Sequence, residues 1–172
     1  LPVPRTTPNP EEVTQRHRSL IAHYMSTLRI EKALNEIGKF LDSHPNDLWA
    51  IYQRAECLHL MEREEEAERD AVRVQKAGYD PVAVALLLGK IYHKMDKADL
   101  AELSFKKALD LAPQSSVIHY EAGKYYAERG DQINAVYQFR LALRLKPDTP
   151  EYLQALGKVL EESGEKQAAV LA

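Results

Sequence analysis

A pattern of small, aromatic and proline residues recurs every 34 residues along this chain of 172 residues. In the clearest copy the marks are Ala122, Gly123, Tyr126, Ala135, Phe139, Ala142 and Pro147, and one interval earlier they are Leu88, Gly89, Tyr92, Ala101, Phe105, Ala108 and Pro113. Apolar residues fall at three- and four-residue spacing from Glu11 almost to the end, without the alternation of strands. One interval fits one packed pair of helices. The sequence therefore predicts an all-α fold whose function resides on a repeated surface.

The register divides the chain into an extension and a repeat domain. Residues 1–13 are predicted to be a proline-rich extension or linker, because prolines are frequent there and no helical apolar period is present. Residues 14–172 are predicted to hold the copies, which span 14–47, 48–81, 82–115, 116–149 and a partial 150–172. With two helices in each copy, we expect ten helical segments.

Helix boundaries predicted from local chemistry fall at the same places. Asp80-Pro81 and Thr149-Pro150 each join a capping residue to a proline at the first helical position. Gly130-Asp131 breaks one helix and caps the next. These signals agree with the register derived from the repeat.

The marks resemble the tetratricopeptide repeat, a helix-turn-helix unit with a pattern of tryptophan, leucine-glycine, tyrosine, alanine, phenylalanine, alanine and proline. The resemblance extends from Thr14 to the end of the chain. It implies a right-handed α-solenoid of stacked antiparallel helix pairs, the TPR superhelix. Some copies depart from the pattern: Tyr79 replaces the proline, Ile21 replaces the glycine, and the tryptophan position holds His17, Ile51, Ala85, His119 and Leu153.

The small residues of the pattern have a packing task in this interpretation. Gly89, Gly123 and Gly157 are predicted to lie where the two helices of a pair come close, because a side chain there would push the helices apart. Ala101 and Ala135 are predicted to face them for the same reason. Large aromatic residues fill the layer between copies, and one copy alone cannot bury its own apolar face.

The resemblance also implies a concave groove, lined by the first helices of successive pairs, that holds an extended peptide or a partner helix. The candidate ligand-binding residues at its inward positions are Trp49, Tyr52, Glu56, His59, Leu86, Lys90, His93, Tyr120 and Lys124. An apolar floor edged by Lys90 and Lys124 suits a ligand with apolar anchors and some negative charge. The alternative is that Trp49 and Tyr120 only complete the packing between repeats.

Composition narrows the classes of partner. The formal net charge of −3, from 23 basic and 26 acidic side chains, gives no electrostatic reason to expect nucleic acid or an anionic membrane. No apolar run approaches the ~18 residues that cross a bilayer. The single cysteine, Cys57, excludes an internal disulfide, is predicted to be buried and fits a reducing compartment such as the cytoplasm. A periplasmic or envelope location stays open if the chain is a fragment.

The residues that carry chemistry are sparse, so we expect no metal, no cofactor and no catalysis. His59 and His93 stand one repeat apart, but two histidines without an accompanying motif are too few for a metal site. The acidic stretch from Glu62 to Asp70 is interleaved with arginines, which predicts a solvated outer face with local ion pairs. No nucleophile with its base and oxyanion site is visible.

The predicted function is therefore a protein-protein interaction scaffold that binds a protein or peptide partner. One alternative is an accessory domain of a larger protein, such as an envelope assembly factor or a membrane-bound zinc metalloprotease, which the non-methionine start and the unfinished last copy favour. Another is self-assembly into a homo-oligomer, in which the apolar end after Leu156 and Leu160 stacks on a second molecule.

Overall fold

The computed structural model describes the backbone of residues 9–171 and the side chains of residues 9–164. These residues form nine α-helices and no strand, which confirms the predicted all-α fold class. The helices are α1 (Pro10–Ser26), α2 (Ile30–Ser43), α3 (Leu48–Leu60), α4 (Glu64–Lys76), α5 (Pro81–Lys94), α6 (Ala98–Leu111), α7 (Ser116–Glu128), α8 (Gln132–Leu145) and α9 (Pro150–Leu171).

The first helix begins earlier than predicted. Residues 1–8 of the predicted extension lie outside the described residues, but residues 10–13 belong to α1. The side chain of Asn9 accepts a hydrogen bond from the backbone N–H of Glu11 at 3.1 Å, and Pro10 is the first helical residue. An Asn cap followed by a proline is a favourable helix start, which explains the shift.

Two of the predicted boundaries are confirmed by capping hydrogen bonds. Asp80 accepts from the backbone N–H of Ala83 at 3.1 Å, and Pro81 begins α5. Asp131 accepts from the backbone N–H of Asn134 at 3.1 Å, directly after Gly130. At the third boundary α9 does begin at Pro150, but the hydroxyl of Thr149 donates to the carbonyl oxygen of Lys146 at 3.3 Å.

The corner inside each helix pair recurs at one register position and has a left-handed backbone. The corner residues and their φ values are Leu28 at 54°, Glu62 at 58°, Asp96 at 56° and Gly130 at 76°. Gly164 occupies the same position in the last copy, yet α9 continues through it to Leu171. The described residues therefore contain nine helices and not the predicted ten, because a glycine permits a corner without requiring one.

The chain divides into two compact units, unit 1 (residues 1–79) and unit 2 (residues 80–172). Within unit 1, α2 packs on α1 and α3, and α4 packs on α3. Within unit 2, α5 packs on α6, α7 packs on α8, and α9 packs on α8 and α7. Consecutive antiparallel helices thus form the packing layers of each unit.

Glycine and phenylalanine interlock in the two complete pairs of unit 2. A Cβ atom built on Gly89 would lie 3.0 Å from Cδ2 of Phe105, and one built on Gly123 would lie 2.6 Å from Cδ1 of Phe139. Both phenylalanines are buried, as are Ala101 and Ala135. The absence of a side chain at these glycines therefore makes room for a ring from the second helix.

The predicted close approach at Gly157 is wrong. A Cβ atom built there would meet nothing within 4 Å. The reason is that α9 continues as one helix where a second helix of the pair was expected to turn back over this glycine.

Unit 1 joins its helices with polar contacts that correct the prediction for the acidic stretch. Asp70 is buried and accepts two hydrogen bonds from Arg54, at 2.6 and 2.8 Å. These bonds hold the pKa of Arg54 above its ordinary value. Glu64 is also buried, with Oε2 2.8 Å from Nδ1 of His59. The stretch is therefore solvated only in part, because Glu64 and Asp70 lie on the same helical stripe as the buried Ala67.

Candidate functional site

The first helices of the last two copies in unit 2, α7 and α9, line an open cleft of about 440 Å³. Its lining residues are Tyr120, Lys124, Ala127, Glu128, Phe139, Glu151, Gln154, Ala155, Lys158, Val159 and Glu162. Of the residues predicted for ligand binding, the structure brings Tyr120 and Lys124 to this cleft. The cleft combines an aromatic and aliphatic wall with side chains of both charges.

Tyr120 is held in place by contacts on both sides of its ring. It stacks on Tyr152 with ring centroids 4.7 Å apart, and it meets Phe139 at a tilt with centroids 5.8 Å apart. Nζ of Lys124 lies 5.0 Å from the centroid of the same ring. Tyr120 is half-buried, so the ring both packs against α8 and α9 and presents an edge to the cleft. A fixed aromatic ring loses little conformational entropy when a ligand packs on it.

The two lysines predicted for the groove in unit 2 share one carboxylate. Glu121, whose side chain is 14% exposed, lies 2.9 Å from Nζ of Lys124 and 3.1 Å from Nζ of Lys90. One negative charge therefore neutralises half of this positive charge. A ligand carboxylate would compete with Glu121 for Lys124, whereas Lys90 does not line the cleft.

The α9 wall of the cleft was missed in the sequence. It contributes Glu151, Gln154 and Lys158, which are all exposed. The repeat register could have found these residues, because they occupy the second, fifth and ninth positions of the last copy, the positions used for the earlier copies. Lys158 adds a second cation, and Glu128, Glu151 and Glu162 add carboxylates at the rim.

The other predicted residues of unit 2 are engaged within that unit. Nε2 of His93 lies 2.6 Å from Oε2 of Glu128, and the ring of His93 meets Tyr125 edge-on with centroids 5.2 Å apart. Leu86 is half-buried and packs against the hydrophobic core. These contacts give His93 and Leu86 a structural task beside any role in binding.

The predicted residues of unit 1 are likewise engaged. The guanidinium of Arg18 lies 4.9 Å from the ring centroid of Trp49. The hydroxyl of Tyr52 donates to Oε1 of Glu56 at 3.1 Å. His59 contacts buried Glu64, as described above. A role of these four residues in ligand binding stays a prediction.

Metal and membrane chemistry were searched in the described part of the chain. Among residues 9–164, no group of three or more histidine, cysteine, aspartate or glutamate side chains is placed to hold a metal ion. No helix between residues 9 and 171 combines the length and the apolar character that a membrane crossing requires.

Comparison with known proteins identifies the fold. A family model for the tetratricopeptide repeat matches residues 82–115. The protein TTC0263, a thermophilic TPR protein in Thermus thermophilus, has a TM-score of 0.77 at 21% identity, covering 87% of this chain and 82% of its own. MamA from Desulfovibrio magneticus has a TM-score of 0.68 at 20% identity, covering 90% of this chain and 88% of its own.

A third similar structure carries a statement about binding in its description. YrrB, described as a TPR protein with an unusual peptide-binding site, has a TM-score of 0.60 at 19% identity and covers 86% of this chain and 76% of its own. No curated protein matches this sequence closely. At these identities the likeness concerns the fold alone.

Proposed function

Because the chain carries a tetratricopeptide repeat and has the fold of tetratricopeptide-repeat proteins, we propose that it is a non-catalytic scaffold that binds a protein or peptide partner. The binding site in this proposal is the α7–α9 cleft of unit 2. The observation that carries it is the cleft itself, in which a fixed tyrosine stands beside two lysines.

The lining of the cleft suggests the chemistry of the ligand. Tyr120 and Ala155 offer a surface for one apolar or aromatic side chain. Lys124 and Lys158 favour a carboxylate, and the rim glutamates favour a lysine or arginine. A volume of about 440 Å³ lies at the small end of ligand sites. The ligand is therefore a short extended segment with an apolar anchor between charges of both signs.

The non-catalytic part of the proposal is supported by the state of the single thiol. Cys57 is fully buried, and its Sγ lies 3.1 Å from Sδ of Met25. Burial raises the pKa of Cys57 to about 12, so the thiol stays protonated at neutral pH. A protonated, buried thiol is not a nucleophile.

In unit 1, the proposal extends to a separate contact surface around Trp49 and Tyr52. Both side chains are partly exposed on α3, and Arg18 stacks on the indole ring. Tryptophan, tyrosine and arginine are the residue types that contribute most binding energy in protein interfaces. This surface is tested by Trp49→Ala independently of the cleft.

A display library of random peptides, selected on the full chain, tests the cleft. Peptides with an apolar residue flanked by charges are expected to be enriched, and Lys158→Glu is expected to weaken them roughly tenfold or more, since it reverses a charge in the site. The matched control is Arg140→Glu, which reverses an exposed charge on α8 outside the lining. Peptides that bind all three chains equally, or no enrichment, would contradict the proposal.

A further inference from the structure

The face of α9 that points away from the cleft is uncovered. If each copy is numbered from its first residue, Leu153, Gly157 and Leu160 occupy positions 4, 8 and 11 of the last copy. At about 100° per residue these three fall within roughly 60° of the helix circumference. Lys158 and Glu162 of the cleft point roughly 130° or more away from their shared direction or from its nearer edge by about a quarter turn. The α9 face, defined as Leu153, Gly157 and Leu160, is therefore distinct from the proposed peptide site.

The same three positions are covered in the neighbouring pair of unit 2. On α7 they hold His119 and Tyr126, which are 6% and 8% exposed, and the buried Gly123. On α9 the corresponding Leu153 and Leu160 are 54% and 45% exposed. Two leucines separated by two helical turns, with a glycine between them, thus form an apolar strip facing solvent.

What covers these positions in α7 and α5 is always the second helix of the pair. Phe139 of α8 fills the space above Gly123, and Phe105 of α6 fills the space above Gly89. A buried alanine lies four residues before and three residues after each phenylalanine. These alanines are Ala135 and Ala142 in α8, and Ala101 and Ala108 in α6. The complementary helix therefore has the spacing Ala-x3-Phe-x2-Ala.

The described residues do not cover the α9 face themselves. The four preceding pairs turn at a left-handed corner, but α9 passes the equivalent Gly164 and stays helical to Leu171. The backbone thus leads away from Gly157 where it would have to return. Residues 9–171 therefore leave this face open to a helix from outside them.

We propose that the α9 face binds an amphipathic helix of a partner protein, oriented antiparallel to α9, whose phenylalanine sits over Gly157. The flanking alanines of that helix let its backbone approach closely, and Leu153 and Leu160 pack on either side of the ring. This is helix-in-groove recognition, with the anchor defined by the two pairs that the chain already contains.

A second copy of this chain does not supply such an anchor. The sequence has three phenylalanines, Phe40, Phe105 and Phe139, and all are at most 2% exposed. A folded copy would have to unpack its own core to present one. The ring over Gly157 therefore comes from a different protein.

The probe for this proposal is a blocked synthetic peptide with the sequence of residues 97–112, which contains α6 and its phenylalanine. Three lysines and three acidic residues give it a formal net charge of zero, so binding would not be driven by net charge. Titration into the isotope-labelled full chain is followed by amide chemical shifts. We expect saturable shifts at residues 153, 157 and 160, and a loss of roughly tenfold or more in affinity for the Phe105→Ala peptide.

The variant Gly157→Leu supplies the decisive comparison. Because a Cβ there meets nothing within 4 Å, the folded chain is expected to keep its melting temperature while peptide binding is lost. Lys158→Glu is the matched control and should bind the peptide as well as the original chain does, although it weakens ligands of the cleft. Failure of the two proposals is thus distinguishable.

Three results would overturn the inference. The first is the absence of a saturable shift on the α9 face. The second is peptide binding that survives Gly157→Leu, since the peptide would then be replacing α6 within the protein. The third is a dimer in light scattering that Gly157→Leu dissociates, which would assign the face to a second copy.

Discussion

Unit 1 and unit 2 follow one repeat register but hold their helices together with different chemistry. At position 8 of the first helix and position 24 of the second, unit 2 pairs a glycine with a phenylalanine. Unit 1 has residues of intermediate size at both positions, and all are fully buried. The residues of unit 1 are Ile21 with Ile37 and Ala55 with Ala71. The repeat therefore specifies the space between two helices more strictly than it specifies the residue that fills it.

The polar contacts differ in the same way. Unit 1 crosses between helices with Arg54 and Asp70, and with His17 and Glu36, whose side chains lie 2.7 Å apart. Unit 2 crosses with rings: Tyr125 stacks on Phe105 with centroids 4.5 Å apart. Unit 1 is therefore expected to respond to the removal of charges, and unit 2 to changes of volume.

The largest expected effect comes from Gly123→Leu in unit 2. A Cβ atom already lies 2.6 Å from the ring of Phe139, so leucine overpacks the pair and is expected to lower the free energy of unfolding by about 3 kcal/mol. Urea denaturation followed by circular dichroism measures the change. Gly157→Leu is the matched control and should change the free energy of unfolding by less than about 1 kcal/mol, toward higher stability. Equal losses in both variants would refute the contrast between them.

In unit 1, Asp70→Ala is expected to cost about 2 kcal/mol. It leaves Arg54, only partly exposed, without the carboxylate that binds it twice. Glu66→Ala breaks the exposed pair with Arg63 and should have a much smaller effect, because water screens that pair. Thermal unfolding of both variants orders the two costs. A similar small loss in each would mean that unit 1 does not depend on its buried ion pair.

The two interlocked glycines of unit 2 are expected to differ from each other. Gly123→Ala should cost about 1 kcal/mol, because the methyl group overlaps the ring of Phe139. Gly89→Ala meets Phe105 at 3.0 Å, and the gain in helix propensity of about 1 kcal/mol offsets most of that strain. Parallel urea titrations resolve the order of the two variants. The reverse order would show that Phe105 is the less movable ring.

The smallest expected effect at neutral pH concerns the thiol of Cys57. Its pKa of about 12 exceeds the value near 8.5 of an unfolded thiol, so the folded state keeps its proton where the unfolded state loses it. The stability contributed by the neutral thiol is complete below about pH 8.5 and is lost as the pH rises toward 12. Urea midpoints from about pH 8 to 10.5 should fall more steeply for the original chain than for Cys57→Ala.

Tyrosines titrate in the same range, so the two chains must be measured side by side. Burial raises the pKa of Tyr125 and of Tyr126 in unit 2, and both chains contain them. Identical slopes in the two chains would contradict the assignment of the effect to Cys57.

Most of the fold could be predicted from the sequence because the marks of the repeat are packing residues. Glycine, alanine and phenylalanine at fixed spacing leave few ways to join two helices, and the capping residues at Asp80 and Asp131 mark where helices begin. The path of α9 was not predictable from a glycine alone. Whether the chain turns at Gly164 depends on the apolar surface that a following helix would bury.

The cleft was predictable only in part. Tyr120 and Lys124 follow from the register, but the pairing of Lys124 with Glu121 requires the rotamers of α7. The burial of Glu64 was missed because charge was given more weight than its place on the stripe of Ala67. A charged residue on an apolar stripe indicates a buried partner, in this case His59.

The left-handed corners of the helix pairs have a consequence for evolution and for engineering. Three of the four are occupied by residues with side chains, Leu28, Glu62 and Asp96, each in a conformation that costs on the order of 1 kcal/mol for any residue except glycine. Leu28 is in addition 77% exposed, so its side chain gains little from burial. Replacing these three residues with glycine would relieve the strain without touching a helix, a core contact or the cleft. The bends of this protein therefore hold a reserve of thermal tolerance that its sequence has not used.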